Sequence, residues 1–204
     1  MGSIFYAYIG IAGSVVAFTA IGLAIAASPW FSWFNNALSD LGNTSLHPST
    51  AWIFDSGLIM AGILSTIFAI LLSKNNPSWK YLVWSVPLAI SSIDLTFIGI
   101  FNESFGSVHL VVSEVFFFAI ALSLFLFSYV SFPLGTPRLG ALSLVFGILS
   151  AVVWIAHFPW PGVAVQETTT SALAAIFVVI IAMKMIAIDS KRKKEQQEIG
   201  KFTA

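Results

Sequence analysis

Six apolar stretches, near residues 4–27, 52–73, 81–102, 108–130, 139–158 and 171–188, dominate this chain of 204 residues. Each is long enough to cross a hydrocarbon layer about 30 Å thick, which takes roughly 20 helical residues. An isolated strand leaves its backbone groups unpaired in lipid, so continuous runs of this length predict helices rather than a barrel. Short connections then predict one all-α, polytopic membrane domain: six transmembrane helices in one bundle over residues 1–190, with a short interfacial helix after the first span. A basic cytoplasmic tail follows over 191–204. At 58% hydrophobic and 9% charged residues, the composition excludes a soluble globular domain.

The charges are segregated, so a formal net charge of zero conceals a strong asymmetry. Lys74 and Lys80 lie between spans two and three, Arg138 between four and five, and Lys191, Arg192, Lys193, Lys194 and Lys201 after span six. Lys184 is near enough to the end of that span to snorkel toward the same side. The connections one to two, three to four and five to six contain no Lys or Arg, which predicts that they face outward and that both termini are cytoplasmic at the cell membrane. An uncharged start and a full-length first run predict a retained helix rather than a cleaved signal. The lack of Cys excludes disulfides and thiolate chemistry. No internal repeat suggests a transporter built from two related halves.

In the longest connection, Ser28-Pro29 and Gly42 are start and stop signals, and Trp30, Phe31, Phe34, Leu38 and Leu41 fall on one helical stripe. That pattern predicts an interfacial helix over 30–41.

The run Asn36-Ala37-Leu38-Ser39-Asp40-Leu41-Gly42, followed by a span opening Trp52-Ile53-Phe54-Asp55-Ser56-Gly57-Leu58, resembles the first signature of the DUF998 family of prokaryotic six-span integral membrane proteins. Gly99-Ile100-Phe101-Asn102-Glu103 leading to His109 resembles a second. The resemblance extends over nearly the whole chain and implies the six-span fold, but no activity. In the last outer connection, where the family pattern has Glu-Arg, this chain has Glu167-Thr168.

Ionisable residues inside a membrane are costly and mark functional candidates. Asp94 is eight residues before Asn102 and Glu114 five after His109, which at 1.5 Å per residue places them about 12 and 7.5 Å inward. The expectation is that the two meet inside the bundle and share a proton, below a shallower ring of His47, Asp55, Asn102, Glu103, His109, His157 and Glu167, with Asp40 a further ligand-binding candidate. His47 precedes Pro48 in a polar loop. The three histidines come from separate loops, with no HxxxH or HExxH pair, so no metal or other cofactor is expected. A Ser39, His109 and Asp40 triad lacks a nucleophile elbow. Asn43-Thr44-Ser45 and Asn102-Glu103-Ser104 are glycosylation sequons on the outward side.

These features predict an outward-facing polar pocket that binds a lipid or other amphiphile headgroup, with membrane lipids as partners. Two alternatives are an accessory subunit of a larger membrane complex, for which Gly57/Ala61, Gly140/Gly147 and Phe116-Phe117-Phe118 offer packing faces, and a membrane-embedded hydrolase at the outer leaflet. The basic tail lacks interleaved aromatics, so nucleic acid is not an expected partner.

Overall fold

In the computed structural model, residues 3–202 are described, with side chains for residues 4–199. Six α-helices follow in order: α1 (Ser3–Ala26), α2 (Ala51–Asn75), α3 (Trp79–Ile100), α4 (Ser107–Ser131), α5 (Pro137–Ile155) and α6 (Ala164–Phe202). Two 3-10 turns, Leu38–Gly42 and Glu103–Phe105, stand in the first and third connections, and no strand occurs among the described residues. All six α-helices are long and apolar enough to span a membrane, so the protein is a multi-pass membrane protein.

Each helix packs on the next, and α6 packs back on α1, which closes the bundle into a ring. α5 stands outside this ring's interior. It buries only small residues, Gly140, Ser143, Gly147 and Ser150, while α4 and α6 touch directly behind it. Small residues allow that close approach: Cβ atoms at Gly140 and Gly147 would meet Ser131 and Phe125 on α4, and one at Gly57 would meet Ala20 on α1. These small faces are therefore used within the bundle. Toward the basic end Trp84, Phe127 and Phe177 meet edge to face, with ring centroids 4.9 to 6.4 Å apart, and plug the ring.

The first connection differs from the expected interfacial helix. Residues 30–37 are turns, and helical geometry is confined to the 3-10 turn Leu38–Gly42. The reason lies in the backbone partners. An α-helix there needs Leu38 N–H to reach Phe34 C=O and Asp40 N–H to reach Asn36 C=O. Phe34 C=O instead accepts from Gly162 N–H, and Asn36 C=O from Val163 and Ala164 N–H, while Leu38 N–H donates to Glu167. The segment is thereby tied to the start of α6. Its stripe still packs inward in part: Leu38 and Leu41 are buried, while Phe34 is exposed and rests edge-on against Trp160.

The sixth helix also exceeds its apolar run at both ends. It begins at Ala164, so that Gln166, Glu167 and Thr170 are helical and buried, and it continues unbroken through the basic segment set apart as a tail. Lys, Arg, Glu and Gln are strong helix formers, and Lys193–Asp189 and Lys191–Glu195 pair one turn apart at 2.9 and 3.8 Å.

Candidate functional site

The end of the ring formed by the two 3-10 turns and the starts of α2, α4 and α6 collects Asp40, Asp55, Glu103 and Glu167 around His109; we refer to it as the acidic end. Among the described residues no Lys or Arg pairs with any of them.

Glu103 is the hub. Its Oε2 lies 2.9 Å from His109 Nε2 and accepts from Ser39 Oγ at 2.9 Å. His109 is 5% exposed, and its Nδ1 is 2.8 Å from the Phe101 carbonyl. A carbonyl only accepts, so Nδ1 carries a hydrogen, and the Nε2 contact holds one further proton between imidazole and carboxylate. The His109 hydrogen bond, against an opposing effect of burial, holds the Glu103 carboxyl below the usual carboxylate range, with the charge of His109 and the Ser39 hydroxyl adding to it. The two side chains thus form a hydrogen-bonded pair that shares the proton at Nε2.

Glu167, 8% exposed, projects from the first turn of α6 and accepts the Leu38 backbone N–H at Oε2. Asp55, also 8% exposed, accepts from Asn102 Nδ2 at 2.8 Å, which ties the start of α2 to the end of α3. Its other oxygen lies against Gly42, where a Cβ would overlap it, so a larger residue there would have to displace this carboxylate. Asp40 folds back on its own segment, accepting from Asn36 Nδ2 and Ala37 N–H. Its role is to shape the turn that presents Ser39.

The two sequons interlock. Asn102 Oδ1 accepts from Ser104 N–H, and Ser104 Oγ meets both Thr44 Oγ1 and Asn43 Oδ1 at 2.9 and 3.2 Å. With Asn102 7% exposed, the second sequon is closed to modification in the folded protein.

Asp94, His157 and His47 lie apart, and Glu114 reaches only the outer rim of the site. Asp94 lines neither of the two cavities at this end and has no hydrogen-bond partner among the described residues; it sits half-buried between the inward stripe of α3 and the exposed Ile90, Ile93 and Phe97. Glu114 is exposed, flanked by Val111, Val115 and Phe118 on the outside of α4. The expected Asp94–Glu114 pair does not form, because depth along a helix says nothing of its rotation, and both carboxylates fall off the buried faces of their helices. His157 is exposed beyond α5, and His47 stacks on Trp30 with centroids 3.7 Å apart. Only His109 reaches the cluster, and no group of three or more His, Asp or Glu is arranged to hold a metal ion among the described residues.

Two cavities meet at the cluster. The first, of about 110 Å³, occupies the interior of the ring. It is lined by α1, α2, α3, α4 and α6, with Leu38, Ser39 and Glu167 as its roof. Ser14, Ser91 and Ser92 in its wall donate to carbonyls of their own helices, which leaves the wall weakly polar. The second is a vestibule of about 460 Å³ bounded by Glu103, His109, Glu114, Trp154 and Glu167, reaching the side of the bundle at the exposed Leu110, Glu114 and Trp154. Ser39, Ser113, Phe117 and Glu167 belong to both walls. Phe117 packs on Trp154 at 4.9 Å, and Trp154 Nε1 donates to Thr170 Oγ1 on α6.

Ser113 Oγ is 3.3 Å from His109 Nε2, but that nitrogen already faces Glu103, so it has no free lone pair with which to activate a serine. Ser39 meets Glu103 rather than His109, and Asp40 meets neither, so the triad considered from sequence is not assembled.

The fold and this site define a six-helix membrane protein with a carboxylate-rich pocket at one end. Across residues 11–184 the chain matches a family described as protein of unknown function (DUF998), and it belongs to that family. No curated protein and no solved structure matches it. The residues that sequence alone had not marked for the pocket are Ser113, Phe117 and Trp154, which read as ordinary lipid-facing or packing positions. The only signal for them was spacing: Ser113 and Phe117 stand one and two turns after His109.

Proposed function

We propose that the vestibule binds the headgroup of a lipid or other amphiphile that enters sideways between the outer parts of α4 and α5, and that the acidic end faces outward from the cell membrane with both termini cytoplasmic. The observation that carries this reading is the shared wall: Glu167, Ser39, Ser113 and Phe117 stand between a mostly apolar vestibule into which Glu103, His109 and Glu114 converge and an interior cavity whose other polar side chains are serines. Ligand sites of this size, mostly apolar with a few convergent polar groups, suit an amphiphile. The interior cavity is smaller than the roughly 150 Å³ that takes a benzene-sized guest, so it receives the tip of an apolar group past Phe117. Apart from the serine hydroxyls and His109, the polar side chains here are acceptors, which favours a headgroup rich in hydroxyl or amine donors. The Lys- and Arg-free connections of the acidic end support the orientation.

The test is native mass spectrometry of the full chain extracted from its membrane in mild detergent. The expected result is a retained amphiphile that is depleted about tenfold or more by Ser113→Phe, which fills the vestibule wall, and by Glu103→Gln. Equal retention in wild type and both variants would sink the reading.

A further inference from the structure

The opposite, basic end of the ring holds a third cavity, of about 210 Å³, beneath the Trp84–Phe127 contact. Lys184 and Arg192 of α6 line it together with Tyr6, Asn76, Tyr81 and Thr136. No Asp or Glu lines it, and neither cation has a carboxylate within ion-pair distance among the described residues, whereas Lys191 and Lys193 on the same helix are paired. Trp84, which also lines it, is 1% exposed, and its indole N–H has no acceptor. A buried donor without an acceptor is destabilising, and the half-buried Lys184 and the exposed Arg192 bring two cations to the margin of the same cavity with no carboxylate within ion-pair distance among the described residues. One buried donor and two cations around one space suit a compact group with several acceptor oxygens. At about 30 Å³ per water the volume is that of roughly seven waters, enough for a phosphate and its immediate substituent.

We propose that this cavity is a binding site for a phosphate group, with Lys184 and Arg192 taking its oxygens and the Trp84 face as its floor. The phosphate is that of a phosphorylated lipid or of a soluble phosphate; charge-assisted hydrogen bonds of this kind serve either. The apolar remainder of the wall, Leu72, Leu134, Leu139 and Ile188, suits the glycerol and first methylenes of a lipid. The inference does not depend on the reading of the acidic end, because it uses other residues and another ligand.

The experiment titrates the full chain in maltoside micelles, which contain no phosphate, with short-chain phosphatidic acid in one arm and inorganic phosphate in the other. Binding is read by native mass spectrometry and by tryptophan fluorescence. Saturable binding of either probe is expected, weakened about tenfold or more by Lys184→Gln and by Arg192→Gln, as the loss of a charge-assisted hydrogen bond requires. Lys74→Gln and Lys194→Gln, exposed at the same end outside the cavity, should bind as wild type does. Lys184→Arg should bind within a few-fold of wild type, which separates loss of the site from loss of the fold. Phosphatidic acid binding far tighter than inorganic phosphate identifies a lipid, and equal binding a soluble phosphate. Absence of binding in both arms, or equal weakening in all four glutamine variants, overturns the proposal; the latter would mean diffuse attraction of anions to a basic surface.

Discussion

At the scale of single residues, the carboxylates of this chain divide by what faces them. Glu103 has a carboxyl held below its ordinary value of 4.5, chiefly by the His109 hydrogen bond. A depressed folded-state value means that its stabilising contribution is complete above the ordinary value and is lost as pH falls through the lowered one. Thermal unfolding of wild type and Glu103→Gln should therefore differ at pH 6 and converge toward pH 3; a gap that persists in acid would show that the pair is not what stabilises. Asp55 and Asp94 should part company in the same assay. Asp55→Leu leaves the buried Asn102 amide without its acceptor and should destabilise by about 1–3 kcal/mol. Asp94→Leu removes a half-buried carboxylate with no described partner, and should be neutral or stabilising, because an unpaired carboxylate among lipid-facing side chains is costly. An Asp94→Leu protein that unfolds more readily would reveal a partner for this group. Sequence could nominate all of these residues by type and depth. It could not sort them, because a helix position off by one residue turns a side chain by about 100°, enough to move Asp94 and Glu114 from the interior to the flank.

At the scale of elements, the spans were legible and their polar ends were not. A long apolar run reports where a helix lies in lipid, so the bounds of α1 to α4 fall within a few residues of the runs that predict them. The run stops where polarity begins, and so places the start of α6 seven residues late, with Glu167 in a loop. A carboxylate in the first helical turn favours the positive end of the helix dipole, a signal available in Gly162 followed by Glu167. The 30–41 segment fails for another reason: its amphipathic stripe is real, but its backbone partners come from residues 162–167, a tertiary choice no local pattern contains. Gly162 makes that choice possible, since a Cβ there would stand 2.5 to 2.8 Å from the backbone of Asn35 and Asn36. Gly162→Ala should cost about 1–3 kcal/mol through overpacking and loosen the Leu38–Glu167 contact. Hydrogen exchange at residues 34–40 should rise with it; unchanged protection would mean that the contact does not depend on this approach.

For the molecule as a whole, the segregation of Lys and Arg predicts the orientation, and the absence of native Cys makes it directly measurable. A single Cys at position 44 should react with an impermeant maleimide in intact cells and one at position 76 should not. The reverse pattern would invert both proposed sites relative to the membrane. The ring also sets an order in time. α1 contacts α6, yet more than a hundred residues are synthesised between them, on the order of ten seconds at cellular elongation rates. Until α6 arrives, the interior wall that it completes faces lipid, and Glu167 has not yet been made. An amphiphile already lying in that groove would be enclosed when the last helix docks, so under the proposed reading occupancy of the interior would be decided during biogenesis as well as by later entry past Phe117.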